Sequence, residues 1–99
     1  MRKYKLTASN IKGLLSPRDF YTYELNSPKL KKVSWNEGGL CPFHADNKSG
    51  SFYVNLETGA YKCFACGEVG GDVVAFSMSL YGLKFSDALE KLACDWSLT

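Results

Sequence analysis

The spacing of apolar positions changes character twice along this chain. Near the start, Ile11, Leu14 and Leu15 recur at helical spacing, with Gly13 between them weakening the signal. A second, short helix is announced by Ser16-Pro17-Arg18-Asp19. Ser16 offers an N-cap oxygen, Pro17 takes the first helical position where a missing N–H costs nothing, and Asp19 reaches back as in a capping box. Phe20, Tyr21, Tyr23, Glu24 and Leu25 come next, before Asn26-Ser27-Pro28 stops the helix.

From Leu30 the pattern shifts to short strands. Residues 30–35 read as a strand, Asn36-Glu37-Gly38-Gly39 as a turn, and Leu40 as the lead into a pair of metal-donor residues. A second hairpin is clearer: Phe52, Val54 and Leu56 share one face, Tyr53 and Asn55 the other, Glu57-Thr58-Gly59-Ala60 turns, and residues 61–64 return. Helical spacing then resumes. Asp72 caps a helix carrying Val73, Phe76 and Leu80 with Gly82 as its stop, and Ser86 caps another carrying Leu89, Leu92, Ala93 and Trp96. Such stripes are the core-facing sides of helices packed on one face of a sheet. Cys94 falls in the last one and reads as a small buried hydrophobe.

Two short-spaced pairs of donors stand at the ends of the proposed hairpins: Cys41-Pro42-Phe43-His44 and Cys63-Phe64-Ala65-Cys66, with an 18-residue spacer between them. Two donors three positions apart on a tight turn can converge on one ion, and three thiolates with one imidazole suit tetrahedral Zn²⁺. Four protein ligands leave no open position, so one zinc held by Cys41, His44, Cys63 and Cys66 shapes a surface instead of performing chemistry. Disulfides are the competing reading, but Met1-Arg2-Lys3-Tyr4-Lys5 lacks the apolar run of a signal peptide, which points to a cytoplasmic location. A redox dithiol would leave Cys41 and His44 unexplained. One zinc clamping two β-hairpins is a zinc ribbon, so the expected class is α+β: a small antiparallel sheet of two hairpins with flanking helices.

Size and charge add bounds. The 99 residues suit one domain, 1–99, with its core over about 30–96 and a helical extension over 1–29, small enough for a metal staple to matter. No run of about 18 apolar residues suggests a membrane span. The formal charge of +2 conceals an asymmetry. Residues 1–35 hold eight Lys or Arg against Asp19 and Glu24, a balance of +6, while residues 36–99 hold four against eight, a balance of −4. A basic front half fits a phosphate backbone, yet charge alone is more often just a solvated face. The glycines of residues 67–71 resemble a phosphate loop but lack its Gly-Lys-Ser/Thr ending, and no catalytic constellation accompanies the single histidine.

Taken together, Cys41-Pro42-Phe43-His44-Ala45-Asp46, Ser51-Phe52-Tyr53-Val54-Asn55, residues 59–67 and Gly71-Asp72-Val73-Val74-Ala75-Phe76 closely resemble the zinc-binding domain of bacterial and phage DNA primases. The likeness covers about residues 35–96. It implies a module that engages single-stranded template DNA, contributes to start-site choice, and assists a separate catalytic domain in making an RNA primer. Two departures stand out. The loop after His44 is one residue longer than the common form, with Gly50 where proline is usual, and nothing after Thr99 supplies the Mg²⁺-binding catalytic domain of family primases. Either the chain is a domain excised from such a primase or it is a stand-alone finger; the spacing and residues 16–21 look more like the mobile-element versions, which favours a natural short protein encoded by a plasmid or phage.

With that resemblance, basic and aromatic residues on the outward strand faces become the expected DNA contacts: Lys31, Lys32, Trp35, Tyr53, Lys62 and Phe64, with Lys48 on the adjoining loop. Taken singly, each ring reads more readily as core and each lysine as merely solvated; it is the group, with the resemblance, that points to DNA. Expected partners are single-stranded DNA and a primase catalytic domain, or a replicative helicase or polymerase, acting in trans. The alternative is a mobile-element adaptor or regulator that docks replication or transfer proteins without touching DNA.

Overall fold

The computed structural model describes residues 6–25 and 30–98. The stop at Asn26-Ser27-Pro28 and the cations Arg2, Lys3, Lys5 and Lys29 lie outside the described residues.

Helix α1, Ala8–Leu14, starts where Thr7 Oγ1 accepts from the Asn10 amide at 3.1 Å, and it buries Ile11. Leu14 stays exposed, and Leu15 drops into the core just beyond the helix. Helix α2, Pro17–Leu25, comes directly after, with Ser16 Oγ accepting from the Asp19 amide at 3.3 Å. It buries Phe20 and Tyr21. Arg18 ties α2 to the next segment by donating to the carbonyls of Leu30 (3.3 Å) and Lys32 (3.0 Å).

Four strands form an antiparallel meander in the order β1 (Trp35–Glu37), β2 (Phe52–Asn55), β3 (Tyr61–Cys63) and β4 (Val69–Gly70). Register sorts the side chains cleanly. Asn36, Val54, Tyr61 and Gly70 stand opposite one another in one row, and Glu37, Tyr53, Lys62 and Val69 in the next. Because neighbouring positions on a strand point to opposite faces, the first row faces inward and the second outward.

The first strand does not run over residues 30–35, and 36–39 is not a turn. Residues 32–34 are bent, and Asn36 sits buried at the middle of β1. The reason is the Asn36 amide: its Oδ1 accepts from the Lys31 and Lys32 amides at 2.9 and 2.8 Å, and its Nδ2 donates to the Lys32 and Ser34 carbonyls at 3.1 and 3.0 Å. One side chain thus satisfies backbone that a strand partner would otherwise serve. The first knuckle consequently lies in the β1–β2 connection. Asn55, expected to face outward, is also buried, its Oδ1 accepting from the Glu57 and Thr58 amides at 2.8 and 3.0 Å to close the β2–β3 turn.

Gly70 meets a different requirement. A Cβ there would sit 2.6 Å from the Tyr61 Cζ and Oη, so only glycine lets that ring lie across β4. Helix α3, Val73–Tyr81, begins at Asp72, whose Oδ1 accepts from the Ala75 amide at 2.8 Å, and ends at Gly82. Helix α4, Phe85–Asp95, has Lys84 at its N-cap without a side-chain bond. Ser86 is therefore inside the first turn and not the cap. Leu89, Leu92 and Ala93 are buried as their spacing implied, but Cys94 is exposed, since one residue beyond Ala93 is a 100° rotation away from the buried stripe.

Helices and sheet meet at a cluster of rings. Phe76 of α3 is surrounded edge-on by Phe20, Tyr21, Phe43 and Tyr61, with centroids 5.5, 5.2, 5.2 and 5.3 Å away. Aromatic pairs prefer this edge-to-face arrangement and gain from it beyond the area they bury. Tyr21 passes through the cluster to donate its hydroxyl to the Gly59 carbonyl at 2.6 Å, and burial pushes its pKa well above the ordinary tyrosine value. Among the described residues, no helix is long and apolar enough to cross a membrane.

Candidate metal centre

Two turns bring the four donors together. The first knuckle comes after Leu40 in the β1–β2 connection; the second starts at Cys63, the last residue of β3. Gly67 closes that second turn in the left-handed region, at φ 82°, and donates its amide to the Cys63 carbonyl at 2.9 Å. Each knuckle also aims an amide at its own leading sulfur, Phe43 N to Cys41 Sγ at 3.4 Å and Cys66 N to Cys63 Sγ at 3.5 Å. Bonds of this kind favour thiolate over thiol.

The donor atoms of Cys41, His44, Cys63 and Cys66 all lie within 4.8 Å of one another. Cys41 Sγ and Cys66 Sγ are 3.9 Å apart, and Cys63 Sγ is 4.0 Å from His44 Nδ1. A tetrahedral ion with Zn–S bonds of about 2.3 Å requires sulfur–sulfur edges of about 3.8 Å. The four residues therefore fit one structural Zn²⁺. All four cysteines are free, and 3.9 Å is nearly twice a disulfide bond of about 2.05 Å, which removes that alternative.

Electrostatics within the set are uneven. Burial pushes the Cys41 thiol up to about 12, with the Cys63 and Cys66 sulfurs adding to the rise and the Phe43 amide opposing it. Burial also works against the Cys63 thiolate, but the amides of Cys66 and Ala65, together with the Cys41 and Cys66 side chains, outweigh it and leave that thiol below its usual value. A divalent cation is what allows several such sulfurs to be thiolates at once.

The first knuckle also reaches into the core. Phe43, between the two ligands of that turn, stacks on Tyr61 (5.3 Å, planes 17° apart) and lies 6.1 Å from Phe52. Metal geometry and core packing are thus one structure.

The CHC2 zinc finger family model matches residues 10–99. The chain belongs to this family. Among curated relatives, the DNA primase of Streptomyces coelicolor is 48% identical over 64 residues, 65% of this chain and 10% of that protein. The DNA primase of Helicobacter pylori strain J99 is 41% identical over 85 residues, 86% of this chain and 15% of that one, and that of Campylobacter jejuni 38% over 88 residues, covering 89% and 14%. The fold is similar to the Aquifex aeolicus primase (zinc-binding and RNA polymerase domains), with a TM-score of 0.67 and 30% identity over 92% of this chain and 22% of that chain. The chain spans 10–15% of the length of these curated primases.

Beside the metal, the outward face of the CHC2 sheet carries the expected aromatic and basic residues, with some redistribution. Trp35, Tyr53, Lys62 and Phe64 line one concavity, and Lys32 joins Trp35, Tyr53, Asn36 and Glu37 around a second that adjoins it. Trp35 is 46% exposed and Phe64 67%, so neither is a core ring. Phe64 meets Tyr53 edge-on at 5.8 Å, and the Lys62 ammonium lies 4.8 Å over the Phe64 ring. Lys31 and Lys32 are exposed on the bent segment before β1, not on a strand, and Lys48 is exposed on the first knuckle's loop; Lys31 and Lys48 line neither concavity.

Sequence reasoning missed Asp46. Its Oδ2 accepts from the Cys41 amide at 2.9 Å, its Oδ1 accepts from the Lys48 amide at 3.4 Å and faces His44 Nε2 at 3.8 Å. The Cys41 amide holds its carboxyl below the usual range. A carboxylate two residues after a histidine ligand was the available signal.

Proposed function

We propose that this CHC2 finger is a single-stranded DNA binding module of the primase type, presenting template to a separate catalytic domain during primer synthesis in DNA replication. The supporting observation is the concavity of Trp35, Tyr53, Phe64 and Lys62 on the exposed sheet face. Rings open to solvent offer stacking platforms worth about 1–3 kcal/mol per base, and lysines beside them take the phosphates. Lys62 and Lys32 serve that second role, flanking the rings from β3 and from the segment before β1.

Zinc supplies rigidity here. Three thiolates on one Zn²⁺ leave a net negative centre, so the strand crosses the sheet beside the metal and avoids it. Few phosphates are neutralised, which makes binding weak and salt-dependent, with a slope of about −0.7 per phosphate. The relatives' name, DNA primase, and the RNA polymerase domain beside the zinc-binding domain in the Aquifex protein support a catalytic partner in the same or another chain.

Anisotropy titration of a labelled short oligodeoxynucleotide tests the reading. Trp35→Ala and Phe64→Ala should each weaken binding about 5- to 150-fold, the equivalent of about 1–3 kcal/mol. If both variants keep zinc and bind like the native protein, this surface is not the DNA site.

A further inference from the structure

Asp46 touches both ligands of the first knuckle from outside the metal site. Its side chain is only 10% exposed, and its two oxygens divide the work: Oδ2 holds the Cys41 amide at 2.9 Å, and Oδ1 faces His44 Nε2 at 3.8 Å. The imidazole is thereby oriented with Nδ1 toward the donor cluster, 4.0 Å from Cys63 Sγ. Both knuckles direct an amide onto their leading sulfur, and in the first the Asp46 carboxylate is added to that bond. A histidine ligand has two nitrogens to choose between, and a carboxylate on one of them fixes that choice and raises the basicity of the other.

We infer that Asp46 is the positioning residue of the metal centre: its carboxylate faces the N–H edge of His44 at Nε2, which turns Nδ1 toward the zinc, while the same side chain pins the Cys41 backbone. The adjoining loop gives a reason for such a tie. Residues 47–50 are exposed and contain Gly50 at φ 119°, with no proline to stiffen them. Two residues after the histidine, Asp46 ties the start of that loop, through the Lys48 amide, to the backbone of Cys41. This inference concerns zinc and stands apart from DNA binding.

The decisive pair of variants is Asp46→Asn and Asp46→Ala. Asparagine keeps an oxygen for the Cys41 amide but removes the charge facing the imidazole; alanine removes both. Competition with a chromogenic chelator should show zinc held about 10- to 100-fold more weakly in Asp46→Asn, and more weakly still in Asp46→Ala. Asp46→Glu should restore much of the loss. The second readout needs no variant: ¹⁵N imidazole spectra of the zinc-loaded native protein should show Nε2 carrying a proton and Nδ1 on the metal. Native-like zinc retention by Asp46→Asn, or spectra placing Nε2 on the metal, would overturn the assignment.

Discussion

Phe43 lies between two metal ligands, yet its ring is stacked 5.3 Å from that of Tyr61 and meets Phe76 edge-on at 5.2 Å. The residue that spaces the first knuckle is thus also a member of the aromatic core. Its loss should be felt at both places. Phe43→Ala is expected to lower stability by about 3 kcal/mol through the cavity it leaves, and to weaken zinc binding because the turn loses its anchor. Thermal unfolding with and without excess zinc measures both; a variant that loses stability while its zinc affinity stays native would contradict the coupling.

Gly70 yields a steric prediction. Gly70→Ala places a methyl group against the Tyr61 ring, which Phe43 and Phe76 confine on other sides. The ring cannot retreat without disturbing the cluster. A cost of about 1–3 kcal/mol is expected, the usual range for overpacking. Gly71, where a Cβ meets nothing, provides the control, and Gly71→Ala should leave the denaturation midpoint nearly unchanged.

Tyr21 sets an alkaline limit. Burial, with smaller contributions from Tyr61 and Asp72, raises its pKa above the ordinary value of 10.0, so the unfolded chain releases this proton at lower pH than the native one. Its contribution is fully present below pH of about 10 and declines as pH rises beyond that. Tyr61, raised chiefly by burial, acts in the same direction. Tyr21→Phe should cost about 1 kcal/mol at neutral pH for the lost bond to the Gly59 carbonyl, and should lessen the fall in stability between about pH 9 and 11. Denaturant midpoints across that interval are the check; an unchanged slope would show that Tyr21 ionises as freely in the native state as in the unfolded one.

Much of this architecture was legible in the chain, for reasons that can be named. The β2–β3 hairpin came from strict alternation at Phe52, Tyr53 and Val54, and the donor cluster from spacing alone. Ser16 and Asp72 were readable as caps because a cap bonds within its own turn. Asn36 was not, because Asn-Glu-Gly-Gly has turn composition and only the folded loop reveals that the amide serves backbone at Lys31, Lys32 and Ser34. Cys94 failed on a smaller margin, one residue along a helix being enough to move from core to solvent. Asp46 offered only its place two residues after a histidine ligand, because its partners, like those of Asn36, are set by how a loop closes. Whether Trp35 and Phe64 face inward or outward was also open in the sequence; strand register decides it for Trp35, and the turn after β3 decides it for Phe64.

If a zinc-clamped sheet holds rings and lysines in place for a DNA strand, DNA affinity must follow the metal. Oligodeoxynucleotide affinity would be tracked as zinc is removed by chelation and returned one equivalent at a time, with metal content assayed at each point. Binding should disappear with the metal and return at one zinc per chain. Undiminished affinity in protein verified to be metal-free would contradict it.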